Sequence, residues 1–219
     1  MARYIHSSIL FQSYVHIDGS FNEIREEIDN LSEGLDSFIT DRARHFLYPD
    51  IDVDLELKEG SIKTYATVRG TLFDCLPAAY KDFSTEIDKL WWFAKRLSDA
   101  AVMEIAFRTG SFLGAIEHTE ARPGVIGTTK RIVDGILSIQ TVETERAAAQ
   151  LIKRVRSYRI QTEKILKLVD ERDKNLLKAE LNNLLKLAPK KATASKVIAK
   201  KLEDDYKEAL EKFSKVLGD

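Results

Sequence analysis

Apolar and polar positions alternate along the first part of the chain and then settle into a helical period. Ile9, Phe11, Val15 and Ile17 alternate with Leu10, Gln12, Tyr14 and His16, the period of two that marks a strand near residues 9–17. Asp18-Gly19 ends that run. Ser20, three residues before Glu23, forms a capping box that opens a helix carrying Phe21, Ile24, Ile28, Leu31 and Leu35. Gly34 is expected to bend or split this helix, and Pro49 closes it. Ile51, Val53, Leu55 and Leu57 then alternate with Asp52, Asp54, Glu56 and Lys58. A turn at Glu59-Gly60 and a second alternation through Ile62, Thr64, Ala66 and Val68 predict a hairpin near 51–73 with one buried face.

From Pro77 the period becomes helical. Tyr80, Phe83, Ile87, Leu90, Trp91, Ala94, Leu97, Ala101 and Ile105 keep three-four spacing. Gly110 ends that helix, Ser111 caps a shorter one through His118, and Pro123-Gly124 turns the chain into a further helix ending near Ile139. Beyond residue 142 the chain is nearly all helix former, with no glycine before Gly218. Leu151, Val155, Tyr158, Thr162, Ile165 and Val169 step by four and three like a heptad seam. The polar run 170–175 interrupts them. Leu177, Leu181 and Leu184 resume, and after Pro189 a last helix carries Ile198, Leu202, Tyr206, Ala209, Phe213 and Val216.

The expected fold is therefore α+β and predominantly helical. A small antiparallel sheet packs on a long amphipathic helix, and a helical hairpin or three-helix bundle follows. Residues 1–141 form the α+β domain and 142–219 a coiled-coil-like module. Charge sharpens that division: the module holds 19 Lys and Arg against 13 Asp and Glu, leaving 15 against 22 before it, within a net charge of -1. The two halves could face each other, or the basic one could face an acidic partner.

Chemistry is sparse. One cysteine, Cys75, excludes an intrachain disulfide and a cysteine metal cluster, which fits a reducing, cytoplasmic setting. The N-terminal stretch reads as a strand rather than a signal peptide, and AAVMEIAF is far too short for a membrane span. His6, His16, His45 and His118 are scattered without metal-ligand spacing, so no metal or cofactor is expected. Gly124 and Gly127 before Thr128, Thr129 and Lys130 are similar to a phosphate-binding helix start, but the spacing departs from the P-loop and a structural turn is the better reading.

Three function classes remain. Asp54, Glu56 and Lys58 are similar to the acid-and-lysine element of metal-dependent nucleases, in which carboxylates hold Mg²⁺ and the lysine polarises phosphate or water. Lys153, Arg154, Arg156 and Arg159 lay basic charge along one helix that could meet nucleic-acid phosphates. Leu151, Val155, Tyr158 and Ile165, with Ile198, Leu202, Tyr206 and Phe213, form the seam expected to bind a protein partner or a second copy. Trp91 and Trp92 cannot share one helix face, so one of them should meet a second layer or a partner.

LELKEGSIKTYATVRGTL (55–72), the aromatic helix at 80–107 and EARPGVIGTTKRIV (120–133) resemble a pattern in uncharacterised bacterial proteins of mobile-element or antiphage-defence neighbourhoods. That resemblance carries no catalytic residues; it implies a bacterial accessory protein. The expectation is a non-enzymatic interaction or assembly subunit.

Overall fold

The computed structural model describes residues 8–17, 28–47, 52–58, 62–108, 116–122, 124–193 and 200–218. The capping box at Ser20 and Glu23, the turn at Glu59-Gly60, the ends at Pro49 and Gly110, and His6 and Ile198 lie outside those residues. The chain divides into two compact units, residues 1–127 and 128–219. The division falls in the first turn of a helix, ahead of the compositional change near residue 142.

In the first unit the order is β1 (Ser8–Ile17), α1 (Ile28–Leu47), β2 (Asp52–Lys58), β3 (Ile62–Gly70), α2 (Phe83–Arg108) and β4 (Ile116–Arg122). The sheet order is β2-β3-β1-β4, with every neighbouring pair antiparallel. β1 and β2 therefore run parallel with β3 between them, joined through α1. β3 and β4 run parallel with β1 between them, joined through α2. Two interlocked split βαβ units of this kind make the ferredoxin-like topology.

Alternation decides which residues meet the helices. Phe11, Val15, Thr64, Ala66 and Val68 are buried, and Val53 and Leu55 pack with Phe38 and Ile39 of α1 and Ala101 of α2. Ser13, on the same face, donates its hydroxyl hydrogen to Ser98 Oγ of α2 at 2.7 Å, so a buried polar pair is satisfied within the layer. α1 is continuous through Gly34, contrary to the expected bend. A side chain there would strike the guanidinium of Arg108 on α2, itself held by Glu104 at 2.7 Å. The glycine thus serves helix contact rather than a break.

Two further expectations change. α2 begins at Phe83 rather than near Pro77, because Asp82 accepts from the hydroxyls of Ser84 and Thr85 at 2.8 and 2.5 Å and from the Thr85 amide at 3.1 Å. Those bonds hold its carboxyl below the ordinary value. Cys75 is consequently buried in the preceding turn, away from any helix start. Residues 116–118, the end of the expected short helix, belong instead to the strand β4, which pairs with β1 from Gln12↔Arg122 to Ile17↔Ile116, while Ser111 lies outside the described residues.

α3 (Gly124–Leu137) crosses the division between the units. The second unit continues with α4 (Glu145–Leu166), α5 (Glu171–Leu185) and α6 (Lys200–Leu217). These are the three helical pieces read from the sequence. The polar run at 170–175 is a helix start: Asp170 accepts from the Asp173 amide at 2.8 Å and caps α5. α6 packs on both α4 and α5. It also fastens the connections. Glu203 accepts from the amides of Ala192 and Thr193, each at 3.3 Å, and Val142 donates to the Ala192 carbonyl at 2.9 Å. Buried Tyr206 donates to the Pro189 carbonyl at 2.8 Å.

Burial, then the Glu203 charge, pushes the Tyr206 phenol up to about 12. Its folded value lies above its unfolded one, so this contribution to stability is complete below pH ~10 and lost as pH rises towards 12. Chemical denaturation across that window should show a steeper loss for the native chain than for Tyr206→Phe. At neutral pH, Tyr206→Phe should cost about 1 kcal/mol for the missing hydrogen bond.

Gly124 has φ +49°, and a Cβ there would strike the Ile9 and Leu10 carbonyl oxygens. Backbone has nowhere to move, so Gly124→Ala should destabilise the first unit by roughly 2 kcal/mol or more, read by thermal or urea unfolding.

Candidate functional site

β2 is an edge strand, and Asp52, Asp54 and Glu56 are all exposed along it. They sit at alternate positions, so successive carboxylates are spaced by about 7 Å along the strand rather than converging. Asp54 pairs with Arg69 of β3 at 3.0 Å. Lys58 ends the strand. Among the described residues no group of three His, Cys, Asp or Glu side chains could hold a metal ion. Charge spread along an edge is also what keeps a strand from pairing with a neighbouring sheet.

At the start of α3, Thr129 is buried, Lys130 pairs with Asp134 at 3.0 Å, and Gly124 makes the close turn described above. A strand, β4, does precede this turn. The glycines nevertheless answer to backbone approach at Gly124 rather than to a phosphate.

On α4, Lys153 and Arg154 are exposed. The other two basic candidates are engaged within the unit: Arg156 lies 3.9 Å from Asp205 of α6, and Arg159 pairs with Glu163 at 2.7 Å. The seam residues point inward. Leu151, Val155, Ile165, Tyr206 and Phe213 are buried, and Leu202 is half-buried. Tyr158 is half-buried with its ring against Gly135 of α3, where an added Cβ would come within 2.5 Å. The second unit fills this part of the seam with its own side chains.

Two outward surfaces of the first unit remain. On α2, Trp92, Met103 and Phe107 are 48%, 56% and 81% exposed, and with Arg96 and Asp99 they follow one helical stripe. Arg96 lies over the Trp92 ring at 4.1 Å, while Phe93 stacks on Phe46 of α1 at 5.3 Å. Trp91 is half-buried. The adjacent tryptophans thus part, and Trp92 faces outward.

The second surface is the sheet face turned away from α1 and α2. Register sets its rows: Asp54, Thr67, Gln12 and Arg122; then Glu56, Tyr65, Tyr14 and Glu120; then Lys58, Lys63, His16 and His118. Tyr14 and Tyr65, both half-buried, pair across the central strands with rings packed against each other, centroids 4.7 Å apart and planes tilted by 35°, and His118 is 5.8 Å from Tyr14. Gln12 donates to Thr67 Oγ1 at 2.8 Å beside them. From sequence this face shows only its acidic edge, the nuclease candidates Asp54, Glu56 and Lys58; the neighbourhood of His16 and His118 depends on the pairing of β4, where a helix through His118 is expected.

Among the described residues no helix is long and apolar enough to cross a membrane. The chain matches no known protein family, no curated protein and no solved structure.

Since Phe213 is fully buried in the second unit, Phe213→Ala should cost about 3–5 kcal/mol by denaturant unfolding. An unfolding midpoint unchanged by that substitution would show that the seam is not core.

Proposed function

We propose that the protein is a non-enzymatic assembly subunit that pairs with a second copy of itself through the outer face of α2. The observation that carries this reading is the stripe of Trp92, Met103 and Phe107, apolar, outward and on one helix face. Large side chains so exposed in a single stripe are a feature of interaction surfaces.

The stripe is self-complementary. An antiparallel crossing with its two-fold axis between Asp99 and Ala100 sets Trp92 against Phe107 of the second copy and Arg96 against Met103. It also brings Arg96 within one turn of Asp99 of the other copy, twice by symmetry. The cation that covers Trp92 in the single chain thereby gains an acid, and the rings gain apolar cover. An isologous contact closes on itself, which limits the assembly to a dimer. As the resemblance implies, the setting would be an intracellular bacterial complex of antiphage defence. An effector enzyme encoded next door would support that setting.

Light scattering over a dilution series should show a dimer that Met103→Glu or Phe107→Glu converts to a folded monomer. Arg96→Glu alone should weaken it about tenfold or more, and adding Asp99→Arg should restore much of the loss. A chain that stays monomeric at its solubility limit would overturn the reading.

A further inference from the structure

We infer that the outer stripe of α4 binds duplex nucleic acid along its phosphate backbone, without reading its sequence. The inference is independent of the α2 pairing, because it rests on the second unit alone.

A basic run on a helix is ordinarily a solvated face, with acids three or four residues from its cations. Other helices of the second unit follow that rule: Lys174 pairs with Glu171 at 2.7 Å and Lys212 with Glu208 at 2.6 Å. The outer stripe of α4 departs from it. Arg146, Gln150, Lys153, Ser157, Ile160 and Lys164 step by four and three, and all are exposed. Arg154 and Lys167, also exposed, stand beside them. The positions three and four residues either side of Lys153, Arg154 and Lys164 hold no acid. Among the described residues no carboxylate pairs with these five cations. The nearest acids in sequence lie at the ends of the stripe, at Glu143, Glu145 and Asp170. On one flank Asp205 and Glu163 engage Arg156 and Arg159. Residues 145–167 hold seven Lys and Arg against two Asp and Glu, most of the positive excess of residues 142–219. Like charges so crowded repel one another along the helix, and a polyanion relieves that repulsion.

The length and composition of the stripe select the polyanion. Arg146 to Lys164 spans about 27 Å of helix. A duplex laid alongside presents one phosphate charge per about 1.7 Å of its axis, so each cation meets phosphate whatever the base sequence. Between the cations Gln150 offers an amide and Ser157 a hydroxyl, both donors suited to phosphate oxygens. Ser157 Oγ accepts from Gln161 at 3.2 Å, which leaves its own hydrogen free to point outward. A single strand is held largely by stacking, and Tyr158, the aromatic ring of α4, is half-buried against Gly135. An anionic lipid surface takes up apolar side chains as well as cations. Ile160, 43% exposed, is the large apolar member of the stripe, and its neighbours there are polar. The backbone of a duplex needs neither rings nor an apolar face.

Fluorescence anisotropy of the full chain with a labelled DNA duplex of mixed sequence, about 20 base pairs long, tests the assignment. Binding should weaken steeply with salt, with a slope of log affinity against log salt of about −3 to −4. A second duplex of unrelated sequence should bind equally well. Replacing Lys153, Arg154 and Lys164 together by Gln should weaken binding about tenfold or more and flatten the slope by about two or three. The unfolding midpoint should not move, because these side chains are exposed and unpaired. Replacing Lys130, Lys174 and Lys212 together by Gln removes as many charges from paired positions and should change affinity about threefold or less. No binding at low salt, equal losses from the two triple variants, or tighter binding of a single strand of the same length would overturn the assignment. So would capture by phosphatidylserine vesicles that excess duplex does not reverse.

Discussion

The handedness of the two crossovers governs the first unit. β1 to β2 and β3 to β4 are parallel connections through helices, and such connections are right-handed almost without exception. The second travels across the sheet in the opposite direction to the first, on strands that run the opposite way. The two reversals cancel, so α1 and α2 must lie on the same face. One face is then core, filled by Phe11, Val15, Ala66 and Val68, and α1 and α2 both lie on it rather than on the other. The polar and aromatic rows built on Tyr14 and Tyr65 stand on that second face.

Much of this was legible where one period dominated. The alternations at 9–17 and 52–58 gave β1 and β2 because one face of each is wet, and the three-four spacing of Ile87, Leu90, Ala94 and Leu97 gave α2 because one stripe is dry. β4 was hidden for a physical reason. It is an edge strand, and Thr119, paired in register with buried Val15, is polar and exposed, so no hydrophobic alternation marks it. Gly34 misled in another way: its cause is Arg108, far along the chain, and no local pattern reveals a partner at that separation. The surfaces shared this difficulty. Tyr14, Tyr65 and His118 are neighbours only through strand pairing, and the seam of α4 and α6 reads alike whether its other side is the same chain or a different one.

The two outward surfaces of the first unit are separated by its own layers. α2 packs against the sheet with one stripe, and its outer stripe points away from the strands. The proposed pairing across α2 would therefore engage the helix stripe alone: Trp92, Arg96, Met103 and Phe107 would change their surroundings, while the strand register and the core between the sheet and the inner stripe would be the same in the single chain and in the pair.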